Sequence, residues 1–224
     1  MRISPRIRRI GIKLSLYAAL SAFSLISIHV VAAATYTWNL DHPGSWNLPS
    51  SWLPTGIPNG SNDEAIFGSL ATAPLEIVTN SNVTANLVAF DNENRHTFVG
   101  EGRLNLTSNS VNDYPKIDVQ LGSHQFQIPI DLRTESQFDI SLGAALELSD
   151  PLNLHGHTLH KTGAGKLIIN SNVPTDGGGT LVVRRGSLLG PGMVNGTLKA
   201  GDATIAPGTG IGTLNVTGNY VQDS

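Results

Sequence analysis

The sequence predicts an all-β chain, and three observations carry that expectation. Short runs of alternating apolar and polar residues recur from residue 75 onward, the period of a half-buried strand. Gly, Asn, Asp and Ser punctuate the gaps between them, supplying turn chemistry. After residue 34 no window keeps apolar residues at the i, i+3, i+4, i+7 spacing of an amphipathic helix. Charged residues make up only 14% of the chain, which separates it from a disordered polar tail.

The first 34 residues read as an address. Arg2, Arg6, Arg8, Arg9 and Lys13 precede an apolar run from Leu14 to Val31, which closes on Ala32-Ala33-Ala34. A basic start, an apolar centre and a small-x-small end are the parts of a secretory signal peptide. An uncleaved membrane anchor is the alternative, since Leu14 to Ala34 approaches a spanning length. Ser15, Ser21, Ser24, Ser27 and His29 dilute that run. Arg8-Arg9 faintly resembles a twin-arginine signal.

The exported part, 35–224, has room for one domain. Five of the 14 basic residues belong to the leader, which leaves 9 against 17 acidic ones, a net of about −8. Phosphate backbones and anionic lipid surfaces attract cationic faces, so nucleic acid is not an expected partner and neither is docking on anionic lipid. There is no Cys, which removes disulfides, thiolate nucleophiles and cysteine-based metal sites.

Residues 35–70 hold all three tryptophans, Trp38, Trp46 and Trp52. One reading is a sugar-stacking platform. The other is an N-terminal cap, since the first coil of a solenoid exposes an apolar end and unpaired strand edges. From 71 to 224 the strand-like runs follow in order: 75–79, 85–90, 103–107, 116–121, 126–132, 138–142, 146–148, 152–154, 166–169, 180–183 and 213–216. A sandwich or barrel would join such strands by tight hairpins. Asn59-Gly60, Asp176-Gly177 and Asn195-Gly196 are suitable pairs, but few gaps use them. A solenoid stacks Leu, Ile and Val into ladders, with Asn and Gly at the corners, and the periodicity favours it.

Several residues invite a functional reading. His155, His157 and His160 would place two imidazoles on one strand face, a conceivable metal pair, yet no carboxylate sits at a matching offset. Surface histidines are the expectation. Gly163-Ala164-Gly165-Lys166 echoes a phosphate loop, but Leu167 stands where Ser or Thr is required, so the segment reads as a turn. Asp118, Asp131, Asp139 and Glu147, with Arg133 nearby, are the acids a carbohydrate-cleaving enzyme would recruit. They fall one per strand, as on a solvated face, and no Gly-x-Ser-x-Gly is present. No catalytic residue, cofactor-binding residue or metal ligand is therefore assigned, and no enzyme is expected. Asn82, Asn105, Asn195 and Asn215 begin Asn-x-Ser/Thr triplets, which read as turn-rich polar sequence.

Three stretches carry a resemblance. The first is Thr37-Trp38-Asn39, Gly44-Ser45-Trp46-Asn47, Ser51-Trp52 and Asp63-Glu64-Ala65-Ile66-Phe67. The second runs from Leu159-His160-Lys161-Thr162-Gly163-Ala164-Gly165-Lys166-Leu167 through Gly178-Gly179-Thr180 to Gly186-Ser187-Leu188. The third is Ala206-Pro207-Gly208-Thr209-Gly210-Ile211-Gly212-Thr213-Leu214, ending at Gly218-Asn219-Tyr220. Together they resemble autotransporter passenger domains with their associated β-strand repeat, while the stretch from Thr72 to Ser136 is similar only in rhythm. The resemblance implies a right-handed parallel β-helix. It also implies an exported adhesive or structural role at the cell surface or outside a Gram-negative-type bacterium. Glycans or a host or neighbouring cell surface are the expected partners. The alternative is a secreted β-helix that binds or cleaves carbohydrate. The family's outer-membrane translocator barrel is not in this chain. The expectation is therefore a fragment, a truncated product or remnant, or a relative exported without its own barrel.

Overall fold

The structure, a computed structural model, describes residues 33–110, 113–175, 177–208 and 212–223. The leader up to residue 32, Asp176 of the Asp176-Gly177 pair and residues 209–211 of the third resembling stretch lie outside the described residues.

The alternating runs become strands because one face of each has apolar side chains to bury. They arrive in threes. The first set is β1 (Thr35–Trp38), β2 (Gly44–Ser45) and β3 (Trp52–Leu53), and the second is β4 (Glu64–Phe67), β5 (Leu75–Val78) and β6 (Val83–Ala85). Then come β7 (Leu87–Asp91), β8 (His96–Val99) and β9 (Leu104–Leu106), followed by β10 (Lys116–Leu121), β11 (Ser123–Phe126) and β12 (Ile130–Leu132). The fifth set is β13 (Ser136–Ile140), β14 (Ala145–Leu148) and β15 (Leu152–Asn153). The chain continues with β16 (Thr158–Thr162), β17 (Lys166–Ile169), β18 (Thr180–Leu189), β19 (Met193–Val194), β20 (Thr197–Ala206), β21 (Asn215–Val216) and β22 (Tyr220–Gln222).

From β4 to β14 each strand pairs in parallel with the strand three places on. A parallel pair needs a crossover between its members, and here the crossover is the other two strands of the same set. Three strands therefore make one coil, and the coils stack as a parallel β-solenoid. The step is short: Gln137 lies opposite His160 and Ala145 opposite Lys166. The long β18 continues two ladders, its first half pairing β16 and its second half β17. Antiparallel pairing, which a sandwich would use throughout, occurs among the described strands only where β3 folds back on β1.

The interior is built from in-register rows. Ala65, Val88, Ile117, Phe138, Lys161, Val183 and Ala200 form one row, all nine-tenths or more buried. Aromatic rings stack between coils, as Phe98 on Phe126 at 4.3 Å and Phe67 on Phe90 at 5.2 Å. In the first coil the three tryptophans cluster. Trp38 and Trp46 each meet Trp52 at 5.1 Å between ring centroids. The β3 strand meanwhile covers the outer edge of β1, pairing Trp38 with Trp52.

Three expectations need correction. The run 85–90 is not one strand, since β6 ends at Ala85 and β7 begins at Leu87. The run from Phe126 to Leu132 is not one strand: it breaks between β11 and β12, at a corner containing Pro129, a residue without a ladder donor. His155 and His157 do not share a strand face, because both lie in the connection between β15 and β16.

Candidate functional site

Polar side chains gather in three places. The first is the outward row of the narrow ladder β6–β9–β12–β15, where Thr84, Asn105, Asp131 and Asn153 stand in register. Asn105 and Arg133 are neighbours here: Nε and Nη2 of Arg133 donate to Asn105 Oδ1 at 3.0 and 2.8 Å. Asp131 is the charged rung, and only 1% of its side chain is exposed. Arg103 Nη1 lies 2.7 Å and Arg133 Nη2 3.1 Å from its Oδ2. Asn153 donates to Oδ1, and His155 Nε2 is 3.5 Å from the same oxygen. Burial pushes the Asp131 carboxyl upward, but the hydrogen bonds from Arg103 and Asn153 and the charges of Arg103 and Arg133 outweigh it. The net result lies below the usual aspartate value. Asp131 is thus not one acid of a solvated face, as the sequence suggested, because its neighbours on the adjacent coils close over it.

The second group surrounds His160. Its Nε2 is 2.6 Å from Glu135 Oε1, and Arg184 Nη2 is 3.1 Å from its Nδ1. Since Arg184 can only donate, Nδ1 accepts and Nε2 carries the proton toward Glu135. The Tyr114 ring lies 5.7 Å from the imidazole. Tyr114 belongs to the connection between β9 and β10, longer than in neighbouring coils: Leu87 lies opposite Lys116, and Gln137 opposite His160. The sequence predicts a surface histidine at 160, whereas His160 is 9% exposed.

The third group is internal. His96 and His124 occupy an inward row that Leu146, Leu167 and Leu188 continue. Burial lowers the pKa of each to about 4. Lys161 is fully buried and donates from Nζ to the backbone oxygens of Thr162, Gly163 and Arg185 at 2.8, 2.7 and 3.1 Å. Burial holds its pKa down to about 8, against the pull of the Asp139 carboxylate. The sequence reading missed these three. The signal was present for Lys161: it stands two residues beyond Leu159 in a strand, so alternation puts both inside.

The other candidates disperse. Trp38, Trp46 and Trp52 are at most 2% exposed and offer no face for a sugar ring. The indole N–H groups of Trp46 and Trp52 donate to Pro58 O and Trp46 O. Glu147 pairs with Arg95 at 2.6 Å. Asp118 and Asp139 lie side by side in the β10–β13 ladder. Residues 163–165 form the turn between β16 and β17. Gly163 adopts φ 69°, and a Cβ there would lie 2.2 Å from Ile140 O, so only glycine fits. No three His, Asp or Glu side chains among the described residues come together as metal ligands.

Compared with known proteins, the chain matches no family model, no curated protein and no solved structure.

Proposed function

We propose that this chain is an exported structural and adhesive module, a passenger segment of an autotransporter-like surface protein that carries contacts and no catalysis. The supporting observation is the ladder itself. Coil after coil repeats in register over a dry interior, so each coil is held mainly by its neighbours. Such a solenoid is a stiff support whose outer rows and loops are free to make contacts. The leader and the three resembling stretches supply the export and surface parts of the reading.

The test is surface display. The full chain is placed ahead of a translocator barrel in a Gram-negative host, and intact cells are probed with protease and antibody. A folded, protease-accessible product outside the cell supports the reading. A product retained inside with its leader uncleaved overturns it.

The carbohydrate-cleaving alternative requires two carboxyl groups free to exchange protons or attack. The most buried acid, Asp131, has both oxygens occupied by Arg103, Arg133 and Asn153. The purified chain should therefore release no new reducing ends from polysaccharides. Their appearance, abolished by Asp131→Asn, would establish catalysis instead.

A further inference from the structure

Asp131 is covered by more positive charge than it needs. Arg103 and Arg133 both bond to it, so one guanidinium charge remains uncompensated. This happens in an exported region whose net charge is about −8. Each guanidinium carries five N–H donors in a rigid fork. Arg103 uses Nη1 on Asp131 and keeps 39% of its side chain exposed. Arg103 borders a recess of about 320 Å³, shared with His155 and Asn153.

The other wall of the recess is apolar. Pro129, Pro151 and Pro174 line it, spaced about one coil apart. Leu104 N donates to Pro129 O and Ile130 N to Pro151 O, each at 3.0 Å, which fixes the first two one above the other. Three prolines on successive coils thus contribute one apolar strip to the lining. His155 also lines the recess, and its backbone is unusual: among the described residues it is the one non-glycine with positive φ, at 48°. Backbone held there costs free energy and persists only where the surroundings enforce it.

We propose that this recess binds an acidic saccharide. Its carboxylate or sulfate group docks on the Arg103 fork beside His155, its ring lies on the proline strip, and Asn153 meets a hydroxyl. Arg suits this task because its fork matches an oxyanion in two parallel bonds. Arg133 bonds to the same Asp131 oxygen, so two guanidinium groups share one carboxylate charge and the surplus positive charge is left for the ligand. The proposal rests on the reading of the chain as a contact-bearing scaffold.

The test is calorimetry on the purified full chain at physiological salt. The probes are a uronic-acid oligosaccharide, a sulfated one, a neutral one of the same length, and inorganic sulfate. One acidic oligosaccharide should bind at least tenfold more tightly than the neutral one and than inorganic sulfate; which of the two does so identifies the docking group. The double variant Arg103→Gln/Asp131→Asn keeps the net charge of the cluster and leaves no buried carboxylate unpaired. It should melt as the parent does and lose at least tenfold in affinity. Arg103→Lys, which keeps the charge and loses the fork, should also bind more weakly. Equal binding of the neutral sugar, equal binding of bare sulfate, or undiminished affinity in the double variant overturns the proposal. Surface display is not involved in this assay, so its failure leaves the export reading standing.

Discussion

His96 and His124 meet inside the solenoid with their Nδ1 atoms 3.3 Å apart, and the His124 ring stacks on Phe90 at 4.2 Å. His124 Nε2 is 2.8 Å from Leu121 O, so it carries the proton and leaves His124 Nδ1 as an acceptor. That atom faces the His96 backbone N–H at 3.2 Å and the His96 Nδ1, which therefore donates. His96 Nε2 is left buried without a partner. Both imidazoles are neutral in this arrangement, and a further proton would enter an apolar space.

Acid should therefore unfold this protein earlier than its carboxylates require. Each imidazole titrates near 6.5 when unfolded and near 4 when folded. Between those values the unfolded chain binds more protons, so stability falls as pH drops from about 6.5 to about 4. The loss is at most about 3.5 kcal/mol per imidazole, from 1.4 kcal/mol per pH unit. Denaturant midpoints at pH 7, 6, 5 and 4 measure it. The double variant His96→Leu/His124→Leu, which extends the neighbouring leucine row, should flatten the profile. A native profile already flat over this window defeats the assignment.

Lys161 makes a second internal device. Its ammonium gathers three carbonyl oxygens, those of Thr162 and Gly163 at the end of β16 and that of Arg185 within β18. Lys161→Met keeps the length and removes all three donors, orphaning carbonyls that cost about 1–3 kcal/mol apiece when unsatisfied. Relief of the buried charge offsets part of this, so a net loss of about 2 kcal/mol is expected. It should appear as a lower urea midpoint with an unchanged slope. A midpoint equal to or above the parent's would mean that the buried charge costs more than its bonds return.

Much of this architecture was legible in the sequence, because it depends on local alternation. The runs at 116–121 and 166–169 are strands with the expected bounds, and Leu159-x-Lys161 obeys the same period. Strands β8, β16 and β20 escaped the sequence reading. In β8 and β16 the inward residues include His96 and Lys161, polar where a core pattern expects apolar ones, and the pattern is masked. The Asp131 cluster was illegible for a different reason. Arg103, Asp131 and the Asn153–His155 segment are each a coil or more apart in sequence, and only the coil step brings them together.

The tryptophan cluster bears on the stability of the first coil. Trp52 is 1% exposed and touches Trp38, Trp46 and Phe67. Trp52→Ala should cost about 3–5 kcal/mol, the usual range for emptying a large core site. It also frees the edge of β1, so soluble aggregates should form at concentrations where the parent is monodisperse. Light scattering and thermal melting report the two effects. Unchanged melting would place the stabilising contacts elsewhere.

Asp131 offers the last test, since its low pKa depends on specific partners. A depressed carboxyl contributes stability that is complete above its unfolded value of 3.8 and is lost as pH falls through the lower folded value. Arg103→Met removes the shorter of its two guanidinium bonds, 2.7 against 3.1 Å, while burial keeps pushing the carboxyl upward. The variant should lose about 1–3 kcal/mol at neutral pH, the scale of a hydrogen bond to a charged group. The Asp131 titration should also move to higher pH. NMR titration of the side-chain carboxyl in parent and variant measures the move directly. An Asp131 resonance unmoved by Arg103→Met would assign the hold on this carboxylate to Arg133 and Asn153, and would leave Arg103 with no structural duty at the cluster.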